Sequence, residues 1–439
     1  MRSRSKYGKV SALVLIVIVV VAAIIIGAVS YYYFSIPTEK ITLNIYCRDF
    51  HKNAMGNYSA EYMQLNPNVN IQLTDLPFTG LYERLTTSLV GGEEVDMISG
   101  PIVWFQNWAI SGYIGSIDNY LQSSPVNVTD YKAGGWNGFQ YSGKQYGLPW
   151  RTGGQILLYN VDAFEEVGLP LRGPETWEEF FDWMTRLTKV DDTGRVVRYG
   201  FGAQGKPLSD FVQIGSTIAP YAWSHGSDFI TVTGNVSKCN LNSSTWVEAM
   251  KFSLKVENYT TPDTLVTAVA DLPAKLVSGT MAMGLTDLKA WDGCKSINAT
   301  TRIGIARFPA GPAGAKCQPV VWAWLFPTAG KHTEEAFKFA HWLQESPERM
   351  SKLTPDSSAT YSASNTALYQ KYQLANYTKY GAIGGGDIAY MDPVNNHPKS
   401  AEVINMFAEA CSKLWQDPTL DVQATLDAAT AEINAKLAS

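Results

Sequence analysis

The sequence predicts an α/β chain with two separate cores behind an N-terminal apolar run, and three observations carry that prediction. The chain has 439 residues, more than one ordinary core accommodates. Alternating strand-like stretches are interleaved with amphipathic helical ones, the pattern of parallel sheets with helices on both faces. An uncharged run from Val10 to Thr38 contains the roughly 20 apolar residues that a bilayer crossing requires.

The run at the start is read as a single-pass membrane anchor spanning residues 1–38. Arg2, Arg4, Lys6 and Lys9 precede it, which predicts a cytoplasmic N-terminus, and Tyr31, Tyr32 and Tyr33 fall where an outer aromatic belt lies. The remaining chain is then extracellular. A cleaved secretory signal is the competing reading, but the run is long for one and no small-x-small site follows it.

"ITLNIY" (41–46) alternates as a half-buried strand, and a helix, an Asn66-Pro67 turn and a second strand follow it. "GLYERLTTSLVGGEEVDMISG" repeats the order, its helix stopped by Gly91-Gly92 before the short strand "VDMIS". Binding sites on such sheets gather beyond strand C-termini, here Arg48 to Phe50 and Gly100 to Trp104. Thr176 with Glu179 reads as a capping box opening "TWEEFFDWMTRLTK". "STWVEAMKFSLKVENY", "TEEAFKFAHWLQES", "SAEVINMFAEACSKLWQ" and the Ala-rich C-terminus are further helices.

Composition narrows the function. Lys and Arg number 35 against 40 Asp and Glu. Four of the bases precede residue 35, so the chain beyond the apolar run carries a formal charge of −9, which argues against nucleic acid as a partner. Seven N-x-S/T sequons, at Asn57, Asn127, Asn235, Asn242, Asn258, Asn298 and Asn376, suit a glycosylated outer surface. The five cysteines have no metal-ligand spacing. They are either one or two disulfides of an extracellular protein or buried small hydrophobes.

"GFGAQGK" (200–206) matches both GxGxxG and a phosphate loop. Pro207 stands where a magnesium-binding Ser or Thr belongs and opposes the helix a phosphate needs, so the motif reads as a glycine-rich turn. No GxSxG, HExxH or EF-hand loop occurs, and the sequence implies no cofactor. A carboxylate pair for glycoside hydrolysis, drawn from distant parts of the chain, stays open.

The segments "YERLTTSLVGGEEVDMISG", "WAISGYIGSIDNYL", "YSGKQYGLPWRTGGQILLYNVDAFEEVGLP", "PETWEEFFDWMTRLT", "KLVSGTMAMGLTD", "RIGIARFPAGPAG" and "WAWLFPTAGKHTEEAFKFAHWL" occur in an order that resembles extracellular solute-binding proteins of ABC importers, in the maltose-binding, sugar-importing branch. The resemblance covers residues 41–439, and an anchor in place of a lipobox cysteine has an archaeal look. It implies a two-lobed periplasmic-binding-protein-like fold whose lobes close on ligand about crossover strands. Lobe 1 is expected at 39–148 plus 305–346 and lobe 2 at 149–304 plus 347–439, with crossovers at Leu148–Gly154 and Ile303–Pro309. It further implies a sugar or oligosaccharide ligand and ABC permease subunits as partners. Trp150 and Arg151 would floor the cleft, with Trp104, Trp223, Asp287, Trp322 and Trp324 as further ligand contacts. Asp287 departs from a usual glycine. A Trp150 on the cleft floor would be dispensable for stability, whereas a core Trp150 would not. A receptor for an oligopeptide or other polar solute, or a secreted glycan-active enzyme, are the alternatives.

Overall fold

The computed structural model describes residues 20–25, 40–48, 52–77, 80–131, 133–203, 218–234, 236–263, 271–286, 288–346, 349–350, 353, 392, 394 and 397–438. In chain order, the strands that build its two main sheets are β1 (Ile41–Arg48), β2 (Val69–Leu76), β3 (Met97–Pro101), β4 (Gly147–Gly154), β5 (Ile156–Asn160), β6 (Lys189–Val190), β7 (Val196–Ala203), β8 (Met281–Thr286), β9 (Ile303–Ala306) and β10 (Pro319–Leu325). The principal helices are α1 (Lys52–Leu65), α2 (Leu81–Val90), α3 (Ile102–Ile110), α4 (Trp177–Leu187), α5 (Ser244–Glu257), α6 (Leu272–Val277), α7 (Leu288–Ile297), α8 (Thr333–Glu345), α9 (Ser400–Gln416) and α10 (Val422–Ala438).

Each sheet has five strands, in the order β2-β1-β3-β10-β4 for the first and β9-β5-β8-β7-β6 for the second. The first core joins β1, β3 and β10 to α1, α2, α3 and α8. The second sheet packs α4 on one face through Phe180, Trp183 and Met184, and α6 on the other through Leu272 and Leu276. Helices α5, α9 and α10 form a further core around Trp246, Phe407 and Ile433. Sequence alternation predicted a half-buried β1, but Ile45, Tyr46 and Cys47 are consecutive buried residues. The strand lies inside the sheet between β2 and β3 and is covered on both faces.

Local signals behave as their chemistry dictates. Thr176 caps α4 by accepting from the Glu179 N–H at 3.2 Å, and Glu179 reaches back to the Glu175 N–H at 2.6 Å. Gly92 takes φ +66° after α2, a conformation open to glycine at little cost. Gly200 and Gly202 of the glycine motif lie within β7 rather than in a turn. A Cβ on Gly200 would overlap the Met184 carbonyl of α4, and one on Gly202 the Met281 sulfur of β8. The first two glycines therefore serve close packing; Lys206 and Pro207 lie outside the described residues. All five cysteines are buried, with Cys239, Cys294 and Cys411 as free thiols, the first two pushed up to about 11 by burial.

Two expectations shift. The anchor lies mostly outside the described residues: positions 20–25 are helical, and among the described residues no helix is long and apolar enough to cross a membrane. The crossings between sheets fall later than expected. Gly147–Gly154 pairs fully with β10 in the first sheet and Ile156 already pairs in the second, so the first crossing is Gln155. The second is Gln318, not Ile303–Pro309. Residues 307–317 stay with the second lobe, where Phe308 and Cys317 are buried in its core and Ala313 N–H donates to the Ser224 carbonyl at 2.7 Å. Gly311 and Gly314, just after Pro309, pair across a small hairpin that turns at Pro312 and Ala313 rather than in a crossing. Met350 and Leu353 still belong to the first core, past the boundary expected at 346.

Candidate functional site

Strand direction fixes which sheet edges meet. β1, β2 and β3 run parallel, β10 runs antiparallel to β3, and β4 antiparallel to β10. The C-terminal ends of β1 to β4 and the N-terminal end of β10 therefore share one edge. In the second sheet β8 and β9 run antiparallel to β5, and β7 parallel to β8. The N-terminal end of β5 and the C-terminal ends of β7, β8 and β9 share its corresponding edge. One residue, Gln155, takes the chain from the first edge to the second, and the Gln155 N–H donates to the Gln318 carbonyl at 3.1 Å. Both crossings thus run side by side. Carboxyl ends of strands at such a junction are where ligands bind in open α/β sheets.

The first edge carries a row of side chains. Trp322 of β10 sits opposite Pro101 of β3 and Arg151 of β4, and the next residue, Ala323, pairs with Pro149. Trp150 is the extra residue of a β-bulge, a device that re-aims side chains and recurs beside binding sites. In a regular strand Trp150 and Arg151 would point to opposite faces. Here the Trp150 ring stacks on Trp324 at 5.2 Å and lies 6.4 Å from Trp322. Trp322 meets Trp104 edge-on at 6.2 Å, and Trp104 meets Tyr82 at 5.3 Å. The Arg48 guanidinium, at the end of β1, lies 5.1 Å from the Trp322 ring centroid, within cation–π range.

Of the residues expected from sequence, Trp104, Trp150, Trp322 and Trp324 are brought into one aromatic cluster with Arg151 beside it. They differ in depth. Trp150 and Trp324 are fully enclosed, and Arg151 is buried. Trp104 and Trp322, nearer the edge, keep 8% and 5% of their surface exposed. Trp150 is therefore part of the first core, because the bulge turns its ring inward onto Trp324. Trp223 is not brought to this cluster: it lies in the core formed by α5, α9 and α10. Its indole N–H donates to the Asp392 carboxylate at 2.7 Å, and burial pushes that carboxyl up to about 6. Asp287 lies outside the described residues. Arg48 was missed as a contact, although its place at a strand C-terminus marked the region. Helix α9 of the second lobe packs against α3, which carries Trp104, so the two lobes touch beside the aromatic row.

A family model described as bacterial extracellular solute-binding protein matches residues 51–350. A putative binding protein of Brucella abortus is 25% identical over 285 residues, which are 63% of this chain and 65% of that protein's length. An arabinooligosaccharide-binding protein of Halalkalibacterium halodurans is 22% identical over 207 residues, covering 46% of this chain and 42% of that one. Among solved structures, an ABC transporter solute-binding protein of Thermotoga lettingae bound with α-D-tagatose superposes with a TM-score of 0.76 at 21% identity, covering 90% of this chain and 100% of that one. The last shares the two-lobed α/β fold. These relatives are bacterial, and none supports the archaeal look of the anchor.

Proposed function

The chain belongs to the family of bacterial extracellular solute-binding proteins, and we propose that it captures a sugar or short oligosaccharide where its two sheet edges meet and delivers it to the permease of an ABC transporter. The observation that carries this reading is the row of Trp104 and Trp322 with Arg48 over the latter, at the edge from which the chain crosses between lobes. The C–H faces of a sugar are apolar and stack on indole rings. Its hydroxyls need charge-assisted partners, and a guanidinium supplies planar donors. Relatives named for an arabino-oligosaccharide and for tagatose favour the same ligand class.

A thermal-shift screen with D-tagatose, maltose and arabinotriose tests the reading. A sugar at about 100 times its Kd adds roughly 2.7 kcal/mol to stability. A rise with one of them, without release of reducing ends, is the expected result. A rise only with peptides would reassign the chain to oligopeptide capture, and newly released reducing ends would make it a glycan-active enzyme.

The reading extends to a tethered, glycosylated receptor. Val20, Val21, Ile24 and Ile25 present 47–63% of their surface, which suits lipid better than water. Asn57, Asn127, Asn242, Asn258 and Asn298 are all exposed; Asn235 and Asn376 lie outside the described residues. Intact-mass and glycopeptide spectra of the native protein should show residues 1–38 retained and added hexose mass at exposed sequons. A mature chain beginning near Tyr33 would overturn the anchor, and unmodified sequon peptides the glycosylation.

A further inference from the structure

The second sheet brings to the same junction groups of a different kind. Gln155 is the residue between β4 and β5, and its side chain is 5% exposed. Its backbone N–H is committed to Gln318, but its side-chain carbonyl Oε1 is buried and has no hydrogen-bond partner among the described residues. Thr286 ends β8 directly opposite Ile156, the residue after Gln155. It is 3% exposed, and its hydroxyl is likewise buried and without a partner among the described residues. A buried polar atom without a partner costs folding free energy, and native structures hold few of them. Here one, Gln155, immediately precedes β5, and the other, Thr286, ends β8 opposite the first residue of β5, at the edge the chain crosses.

Replacing either side chain with an apolar one of the same shape would remove the cost, so the two groups call for a partner that the described residues do not supply. We propose that Gln155 and Thr286 bind hydroxyls of the captured sugar, an assignment that rests on the receptor reading above. The Gln155 Oε1 can only accept, so it calls for a donor, which a sugar supplies as an O–H. The Thr286 hydroxyl both donates and accepts, as the next hydroxyl along a polyol does. A carboxylate or phosphate would face the Gln155 carbonyl with like polarity. The pair therefore favours a neutral hydroxylated ligand over an anion, although the first lobe carries Arg48 and Arg151 beside the aromatic row, which an anion would also suit.

Thr286→Val and Gln155→Met keep shape and remove the polar atoms. Their ligand-free melting temperatures should equal or exceed that of the wild type. Calorimetry with whichever of D-tagatose, maltose and arabinotriose binds the wild type should show Kd weakened roughly tenfold by each, the worth of one neutral hydrogen bond. Lower ligand-free melting temperatures with unchanged Kd would assign the atoms to a buried structural water and overturn the proposal. Unchanged values on both counts overturn it as well. A wild type that binds none of these sugars sinks the receptor reading itself, whereas sugar binding indifferent to both variants sinks this inference alone.

Discussion

The two edges that meet at the crossings are built on opposite principles. On the first, Trp150 and Trp324 stack on each other in the core, while Trp322 and Trp104 meet edge-on nearer the sheet edge and keep 5% and 8% of their surface exposed. On the second, Gln155 and Thr286 hold polar atoms that nothing in the described chain satisfies. Rings in the core hold the edge rings in place through non-directional dispersion contacts, and only the edge rings retain surface for a ligand. Hydrogen-bonding groups, by contrast, are directional and need a partner, whether ligand or water. A ligand with a flat apolar face and a rim of hydroxyls would use both edges at once.

The largest expected effect separates depth within the aromatic row. Trp324→Ala and Trp150→Ala, which open a cavity under fully buried rings, should each cost about 3–5 kcal/mol in urea unfolding. The folded fraction should still bind sugar. Trp322→Ala removes the ring beneath Arg48 and should weaken calorimetric Kd at least tenfold. Equal affinity losses at Trp322 and Trp324 would erase the distinction between edge and core. The smallest effect concerns how the two edges come together. X-ray scattering of the ectodomain should show the radius of gyration fall on adding saturating sugar, because closing lobes expel water between them. An unchanged profile would mean that the edges are already apposed without ligand, as the contact of α9 with α3 permits.

Much of the fold was legible because it rests on local patterns. The helices from "GLYERLTTSLV" to "SAEVINMFAEACSKLWQ" follow from apolar spacing and caps, and they form where predicted. The crossings were displaced because Pro309 and its glycines mark any change of direction, whether a hinge or a hairpin, and only their packing on Ser224 distinguishes the two. The tryptophans were legible as a set and illegible in depth, since burial of Trp150 depends on a bulge that is visible only against its partner strand. The setting of Trp223 was illegible for a related reason: its partner Asp392 is 169 residues away. Gln155 and Thr286 carry no motif at all, because lacking a partner is a property of three-dimensional surroundings.

Two crossing strands that run together, tied by the Gln155–Gln318 bond, make one axle rather than two. In any rotation about an axle, displacement grows with distance from it. Gln155, on the axle, would hardly travel, whereas Trp104, out on α3, would sweep a longer arc. Sugar contacts near the crossing would then exist before closure and those on α3 would complete after it, so capture would follow an order: a hydroxyl seated first at the pivot, then the rings swung in as a latch. An incoming molecule would be sorted by its polar groups before its apolar face is tested.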